Sequence, residues 1–346
     1  MSRKKLYYFI LSGLNESLAF SELRALLDIY DIKNYRSYLH SKLALIESNE
    51  LSSEIVKKIV IRSGMIKEGG YALKIVDNMK LEDLMDTVES LTNSFKWINY
   101  WIKIINVKGL SSNTELEKIR DHIRSIDPRM IPRSNNVISM ISIEGFYIVG
   151  LRLATIPTRE FYERRPSIRP FFRSIALPVY LSRLLINLSR IKEGMTFLDP
   201  FCGTGSILIE AALMGLRTIG LDLNWEMARG SIKNLRSYEL KIPFTVVGNA
   251  LNLPLLDSSV DAIATDPPYG RAASTYGEKV KEVYNGFLRE AYRVLRDKRY
   301  LVFMAPSWLA KYVEKLLCRY GFILCRKHHM YVHGGLTRII YVVYKA

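Results

Sequence analysis

The chain has 346 residues, of which 49% are hydrophobic, enough for two domains that each bury a core, and no run approaches the roughly 18 uninterrupted apolar residues of a membrane span. Fifty basic against 34 acidic side chains leave a formal charge of +16, a surplus that favours a polyanionic partner, nucleic acid being the natural candidate. Three cysteines without a C-x-x-C spacing argue against a disulfide framework or a zinc ribbon.

Cys202, Cys318 and Cys325 are read as reduced thiols, with a Cys318–Cys325 bridge as the alternative. The N-terminus is basic, but residues 6–14 are short, tyrosine-bearing and lack a small-residue cleavage site. No signal peptide is expected, and the location is expected to be cytoplasmic.

Residues 7–12 read as a strand, and Asn15 is placed to cap a helix running through Leu27. Further strands are expected at 71–76 and 101–107, with helices at 81–91 and 114–126. Val137 to Ile143 and Phe146 to Leu153, joined through Glu144-Gly145, read as a hairpin. Residues 1–155 thus mix helices and strands without a nucleotide-binding glycine tract and form a candidate binding module.

Between Arg152 and Arg173 lie six arginines, no lysine, two acids and three prolines, interleaved with Phe161, Tyr162, Phe171 and Phe172. Guanidinium forks grip phosphates and prolines limit the entropy lost on docking, so residues 156–176 suit a linker that tracks a nucleic-acid backbone. Arg164, Arg165, Arg169 and Arg173 are its candidate contacts. The competing reading is an ordinary linker whose arginines pair with acids on the domain faces.

From residue 177 to 346 strand and helix alternate: helix 177–188, strand 196–198, helix 206–214, strand 218–221, helix 226–238, then strands 244–247 and 262–265, helix 280–295, strand 301–305 and helix 309–320. Alternation of this kind means a mostly parallel sheet with helices on both faces. Residues 322–327 and 339–344 lack an intervening helix and should form an antiparallel edge hairpin.

Two motifs carry chemistry. In Asp199-Pro200-Phe201-Cys202-Gly203-Thr204-Gly205, a glycine turn sits between a strand and the helix from Ser206, so backbone can approach a nucleoside. The third small residue of a dinucleotide fingerprint is replaced by Leu208, and Asp199 would repel a phosphate but attract an ammonium, which selects S-adenosylmethionine over NAD. Asp222, followed by Leu223, ends the next strand where it can accept from ribose hydroxyls. Asn249-Ala250 follows the third strand, and its amide either meets the adenine amino edge or closes an Asn-turn. Cys202, with no histidine near it in sequence, reads as a small buried thiol.

The second motif is Asp266-Pro267-Pro268-Tyr269, after the fourth strand. Its carboxylate and a proline-stiffened carbonyl can converge on one NH₂ group, and Tyr269 offers a flat face to an unstacked base. The pair of motifs implies methyl transfer to an exocyclic base amine. Arg271 beside them is a further candidate phosphate contact.

Asp-Pro-Phe-Cys-Gly-Thr-Gly, Gly-Leu-Asp at 220–222, Thr-Asp-Pro-Pro-Tyr-Gly-Arg at 265–271 and Arg-Pro-Phe-Phe-Arg-Ser at 169–174 together resemble the archaeal THUMP-domain tRNA guanine-N2-methyltransferases that modify position 10. The resemblance implies a seven-stranded, Rossmann-like class I methyltransferase domain with a C-terminal antiparallel hairpin, preceded by a ferredoxin-like and THUMP region. It also implies S-adenosylmethionine as donor and tRNA as substrate, and it carries over to Asp199, Gly203, Gly205, Asp222, Asn249 and Asp266 to Tyr269. Many relatives have Asp where this chain has Asn249. N2-methylation of another tRNA or rRNA guanosine, a DNA amino-methyltransferase and a non-catalytic RNA-binding protein are the alternatives. A monomer is expected, and no metal site: His328, His329 and His333 read as part of an edge-hairpin turn.

Overall fold

The computed structural model describes residues 5–77, 81–94, 99–108, 113–144, 146–240, 244–269, 280–334 and 336–346. They form two compact units. One takes in residues through Phe20, Ile32–Ile61 and Ile66–Ile156; the other takes in Ser21–Asp31, Arg62–Met65 and Pro157–Ala346.

The first unit contains β1 (Lys5–Leu11), β2 (Arg36–His40), β3 (Leu43–Ser48), β4 (Ile66–Asp77), β5 (Trp101–Asn106), β6 (Val137–Ile143) and β7 (Phe146–Thr155). Its helical segments come from α1 (Glu16–Ile29), α2 (Ser53–Arg62), α3 (Leu81–Ser94) and α4 (Asn113–Ile126). The sheet runs β2-β3-β1-β4-β7-β6-β5. Every pair is antiparallel except β5 with β6, which α4 connects as a crossover. The 137–153 hairpin is present, with Ile143 opposite Phe146, and the Asn15 side chain caps α1 by accepting from the Leu18 amide at 3.0 Å. β2, β3, α2 and the first half of β4 fall in a stretch to which the sequence reading assigns no element. β2 is an edge strand exposed along its whole length, so it carries no alternation to read.

The centre of this sheet is built around Tyr8. A side chain at Gly150 would meet its ring at 2.5 Å, so glycine there makes room for a tyrosine. The Tyr8 hydroxyl donates to Glu68 at 2.9 Å, and Glu68 also accepts from Ser139 and Lys103. The buried carboxylate is thus satisfied on all sides.

The second unit contains α5 (Thr158–Glu163), α6 (Val179–Leu188), β8 (Thr196–Asp199), α7 (Ser206–Leu213), β9 (Arg217–Asp222), α8 (Trp225–Arg236), β10 (Phe244–Val247) and β11 (Val260–Thr265). It continues with α9 (Val280–Val294), β12 (Leu295–Pro306), α10 (Ala310–Tyr320), β13 (Phe322–His333) and β14 (Leu336–Lys345). Its sheet runs β10-β9-β8-β11-β12-β14-β13. The first five strands are parallel, and β14 is antiparallel to β12 and β13. β11 is buried along its whole length, as expected for a strand covered by helices on both faces. Phe287, Phe303 and Tyr341 anchor the core, the last two stacked at 5.1 Å. The order of strands reverses between β8 and β11, and in open parallel sheets ligands bind at the carboxyl ends of the strands flanking such a reversal. Asp199 ends β8, and Asp266 follows β11.

Candidate active site

The turn leaving β8 is shaped by two glycines. Gly203 and Gly205 have φ of +51° and +81°, in the left-handed region that penalises a Cβ, and a Cβ at Gly205 would also press on Ser231 at 2.9 Å. The turn is tied to β9 by the Cys202 amide, which donates to the Leu221 carbonyl at 2.8 Å. Leu208, standing where a dinucleotide fingerprint has a glycine, packs against Gly220 of β9. Helix and strand still approach closely, but the missing side chain belongs to the strand.

Three carboxyl groups face this rim. Asp199 is 1% exposed; its Oδ1 accepts from the Thr265 hydroxyl at 2.6 Å and from the Phe201 amide at 3.2 Å. Burial pushes its carboxyl up to about 7, with repulsion from Asp222 and Asp266 adding to it, and only a hydroxyl and a backbone amide pull it back. The Asp199–Thr265 bond joins the ends of β8 and β11, so it holds the glycine turn and the Asp266 loop beside one another. Asp222 accepts from the Gly203 and Asn224 amides, each at 2.9 Å, and burial raises it above the usual carboxylate range. Asn249 forms the Asn-turn, its Oδ1 accepting from the Leu251 amide at 2.9 Å. That leaves its N–H₂ group as a donor.

Leu223 is exposed at this rim, whereas the side chains of Thr204 and Ala250 are buried and Phe201 sits edge-on to Phe287 at 5.3 Å in the core. Thr204 and Ala250 therefore offer a ligand mainly their backbone, whereas Phe201 is partly buried. Cys202 is buried and its thiol is held well above the usual range by burial, the state of a packing residue rather than a nucleophile.

Asp266 emerges from β11 with 16% of its side chain exposed, and Pro267 is buried behind it. Tyr269 donates its hydroxyl to Asp266 Oδ1. Burial raises the Asp266 carboxyl, while Arg338 and the Tyr269 hydroxyl draw it down. Arg338, on β14, places Nη1 3.8 Å from Asp266 Oδ2 and its guanidinium 5.2 Å from the centre of the Tyr269 ring. The sequence reading did not include Arg338. It reaches the loop because β14 runs antiparallel beside β12, with Arg338 opposite Pro306, a register that no local spacing reveals.

The arginines of the linker divide, which corrects their reading as one phosphate-tracking set. Arg164 is turned inward: its Nε and Nη2 donate to the fully buried Glu210 of α7 at 3.0 and 3.2 Å, and Arg183 lies 3.5 Å from the same carboxylate. Arg169 is 5% exposed and donates to the Arg164 carbonyl and, at 2.6 Å, to the Ser206 hydroxyl. These two fasten the segment to the start of α7 and are not free to grip a phosphate. Arg165 lies over Tyr162 at 3.7 Å, and the exposed Arg173 lies over Phe171 at 4.6 Å with Glu226 3.4 Å away. Arg271 lies outside the described residues. His328 and His329 are residues of β13 rather than of a turn, because that hairpin is longer than expected, and all three cysteines are free.

Comparison with known proteins agrees with this geometry. Residues 166–340 match the UPF0020 family model, described as an RMKL-like methyltransferase domain. Over 96% of this chain and 98% of the relative, the sequence is 34% identical to the tRNA (guanine(10)-N2)-dimethyltransferase of Methanothermobacter thermautotrophicus. It is 30% identical to the enzyme of the same name from Pyrococcus abyssi, over 98% of this chain and 99% of the relative. The crystal structure of TrmN from Thermus thermophilus superposes with a TM-score of 0.61 at 17% identity, covering 99% of this chain and 100% of that one. A putative methyltransferase, SMU.472, solved with SAH, gives 0.54 at 14% identity over 100% and 99%. The fold is that of the class I methyltransferases, and the chain belongs to the family of the archaeal tRNA (guanine(10)-N2)-dimethyltransferases, within the RMKL-like methyltransferase group.

Proposed function

We propose that this protein transfers methyl groups from S-adenosylmethionine to the N2 amine of a guanosine in tRNA, at position 10, and that it dimethylates that amine as the names of its archaeal relatives specify. The observation that carries the reading is the Asp199–Thr265 bond, which sets the Asp266-Pro267 acceptor pair beside the glycine turn. We read residues 1–155 as the ferredoxin-like and THUMP region, and the charge of +16 on the whole chain suits a tRNA partner. Arg165 and Arg173 remain as phosphate contacts of the linker. No helix among the described residues is long and apolar enough to cross a membrane, and the reading is of a cytoplasmic monomer.

The donor set suits the cofactor. Asp199 is a buried carboxyl whose ionised form is countered by no cation among the described residues, and the ammonium of a free amino-acid moiety would be a fitting partner. Asp222 has carboxylate lone pairs for two ribose hydroxyls, and the Asn249 N–H₂ has a ring nitrogen of adenine to meet. When bound, S-adenosylmethionine supplies an electrophilic methyl group on a sulfonium centre.

The target guanine leaves its stack at a cost of about a few kcal/mol. Asp266 and the Pro267 carbonyl accept the two N–H bonds of its amine. In a free base the nitrogen lone pair is delocalised into the ring; holding both N–H bonds turns it toward the methyl donor, a gain from orientation. Asp266 then takes the proton that the nitrogen loses.

The test is nucleoside mass mapping after incubation of the purified protein with tRNA and S-adenosylmethionine. N2-methylated and then N2,N2-dimethylated guanosine are expected at one site, position 10. An N6- or N4-methylated DNA base would transfer the assignment to a DNA amino-methyltransferase, and bound cofactor with no product on either nucleic acid would leave a binding protein.

The state of Asp199 makes a second prediction. Its folded carboxyl is raised, so below about pH 7 the ligand-free side chain is protonated, and pairing with an ammonium requires that proton to leave. Cofactor affinity should therefore fall as pH drops below about 7, by up to about tenfold per pH unit. Calorimetric titration in buffers of different ionisation enthalpy measures the released proton. A pH-independent affinity with no proton release would remove Asp199 from the ammonium site.

A further inference from the structure

Three features set Arg338 apart. It is the cation nearest the acceptor loop among the described residues, with Nη1 3.8 Å from Asp266 Oδ2. Its guanidinium lies over the Tyr269 ring at 5.2 Å, within the range of an attractive cation–π contact. Its side chain is 16% exposed, and its Nε is buried with no hydrogen-bond partner among the described residues. A long cationic side chain is largely withdrawn from water here, and a buried polar atom without a partner carries a cost. Among the described residues, its ion pair and its ring contact are both with the same loop, Asp266 and Tyr269.

The surroundings of Asp266 explain why such a group is needed. Among the described residues, the titratable groups that reach it are Tyr269 on its own loop, Asp199 at the end of β8, Tyr284 on α9 and Arg338 on β14. One is a carboxyl and two are phenols, so Arg338 is the positive member of the group. Tyr269 is tied to Asp266 through its hydroxyl, and the same guanidinium lies against its ring. One side chain therefore touches both the acceptor and the aromatic face of the loop.

We infer that Arg338 is a positioning residue for the methyl-acceptor site, supplying the counter-charge that keeps Asp266 an acceptor and clamping the Tyr269 ring against the loop. It acts on the base through these two residues. The inference rests on the proposed role of Asp266 and adds what holds that residue competent. An opposite charge within ion-pair range lowers a carboxyl, and loss of Arg338 moves Asp266 upward.

The test is the pH profile of single-turnover methylation for wild type, Arg338→Met and Arg338→Lys. In the Met variant the acid limb shifts to higher pH by about 1 to 3 units. Its rate is down on the order of 10-fold or more at pH 7 and recovers at least tenfold toward pH 9, while KM for S-adenosylmethionine changes less than about threefold. The Lys variant keeps the charge, and its acid limb stays near that of wild type. If the Met variant does not fold, Arg338→Gln, close in shape and uncharged, carries the same comparison.

A Met or Gln variant whose rate falls by one factor at every pH, or does not fall, overturns the inference, as does a Lys variant that behaves like Met. Failure of the underlying reading looks different: wild type itself then yields no N2-methylguanosine at any pH.

Discussion

Replacing Asp266 by alanine is expected to lower the methylation rate by on the order of 10³-fold, the scale seen when a positioned acceptor or general base is removed from a reacting centre. In the proposed mechanism Asp266 is the side-chain half of the acceptor pair, the Pro267 carbonyl being the other, and no described side chain stands ready to replace it. The loop should keep its course, because the two prolines restrict its backbone and the Thr265–Asp199 bond that anchors it does not involve Asp266. Cofactor affinity and tRNA affinity should therefore stay within a few-fold of wild type. Single-turnover methylation and cofactor titration on the same preparation separate the two quantities. A rate within threefold of wild type would remove Asp266 from the reaction. A lost rate accompanied by lost cofactor affinity would make the residue a part of the donor pocket instead.

The second large effect concerns folding. Glu210 on α7 is fully buried and holds Arg164 at 3.0 Å with Arg183 at 3.5 Å, and both guanidinium groups are themselves largely buried. Glu210→Ala removes the buried carboxylate that two buried cations share, and the expected loss is about 3–5 kcal/mol, as for other buried pairs deprived of one partner. The exposed Arg173–Glu226 pair, 3.4 Å apart, is the internal control. Arg173→Ala should cost less than about 1 kcal/mol, because solvent screens it. Denaturant titration reads both; a Glu210→Ala variant within 1 kcal/mol of wild type would show that the buried cluster relaxes to solvent. The contrast also bears on the linker: Arg164 and Arg173 lie nine residues apart in one arginine-rich run, yet one is part of the interior and the other belongs to the surface.

That division marks the boundary of what the order of residues records. Alternating apolar periods in residues 177–346 foretell the strands and helices of the second unit, because such periods reflect which face of each element is buried. The glycines at 203 and 205 and the proline-stiffened loop at 266–269 are equally legible, because their backbone constraints are local. Residues 36–62 were not legible in the same way: β2 is exposed throughout and leaves no alternating trace.

Other features were settled by the folded chain, since they join residues distant in sequence. Arg338 faces Asp266 through the antiparallel register of β14 on β12; Thr265 bonds Asp199 because β8 and β11 are neighbours at the sheet reversal; Gly220 provides the clearance that Leu208 lacks. Arg164 and Arg169 turn inward because α7 presents a buried acid and a hydroxyl to them. Local spacing carries the chemistry of the motifs, whereas the charge that surrounds each group depends on strand order and register, which arise from long-range packing.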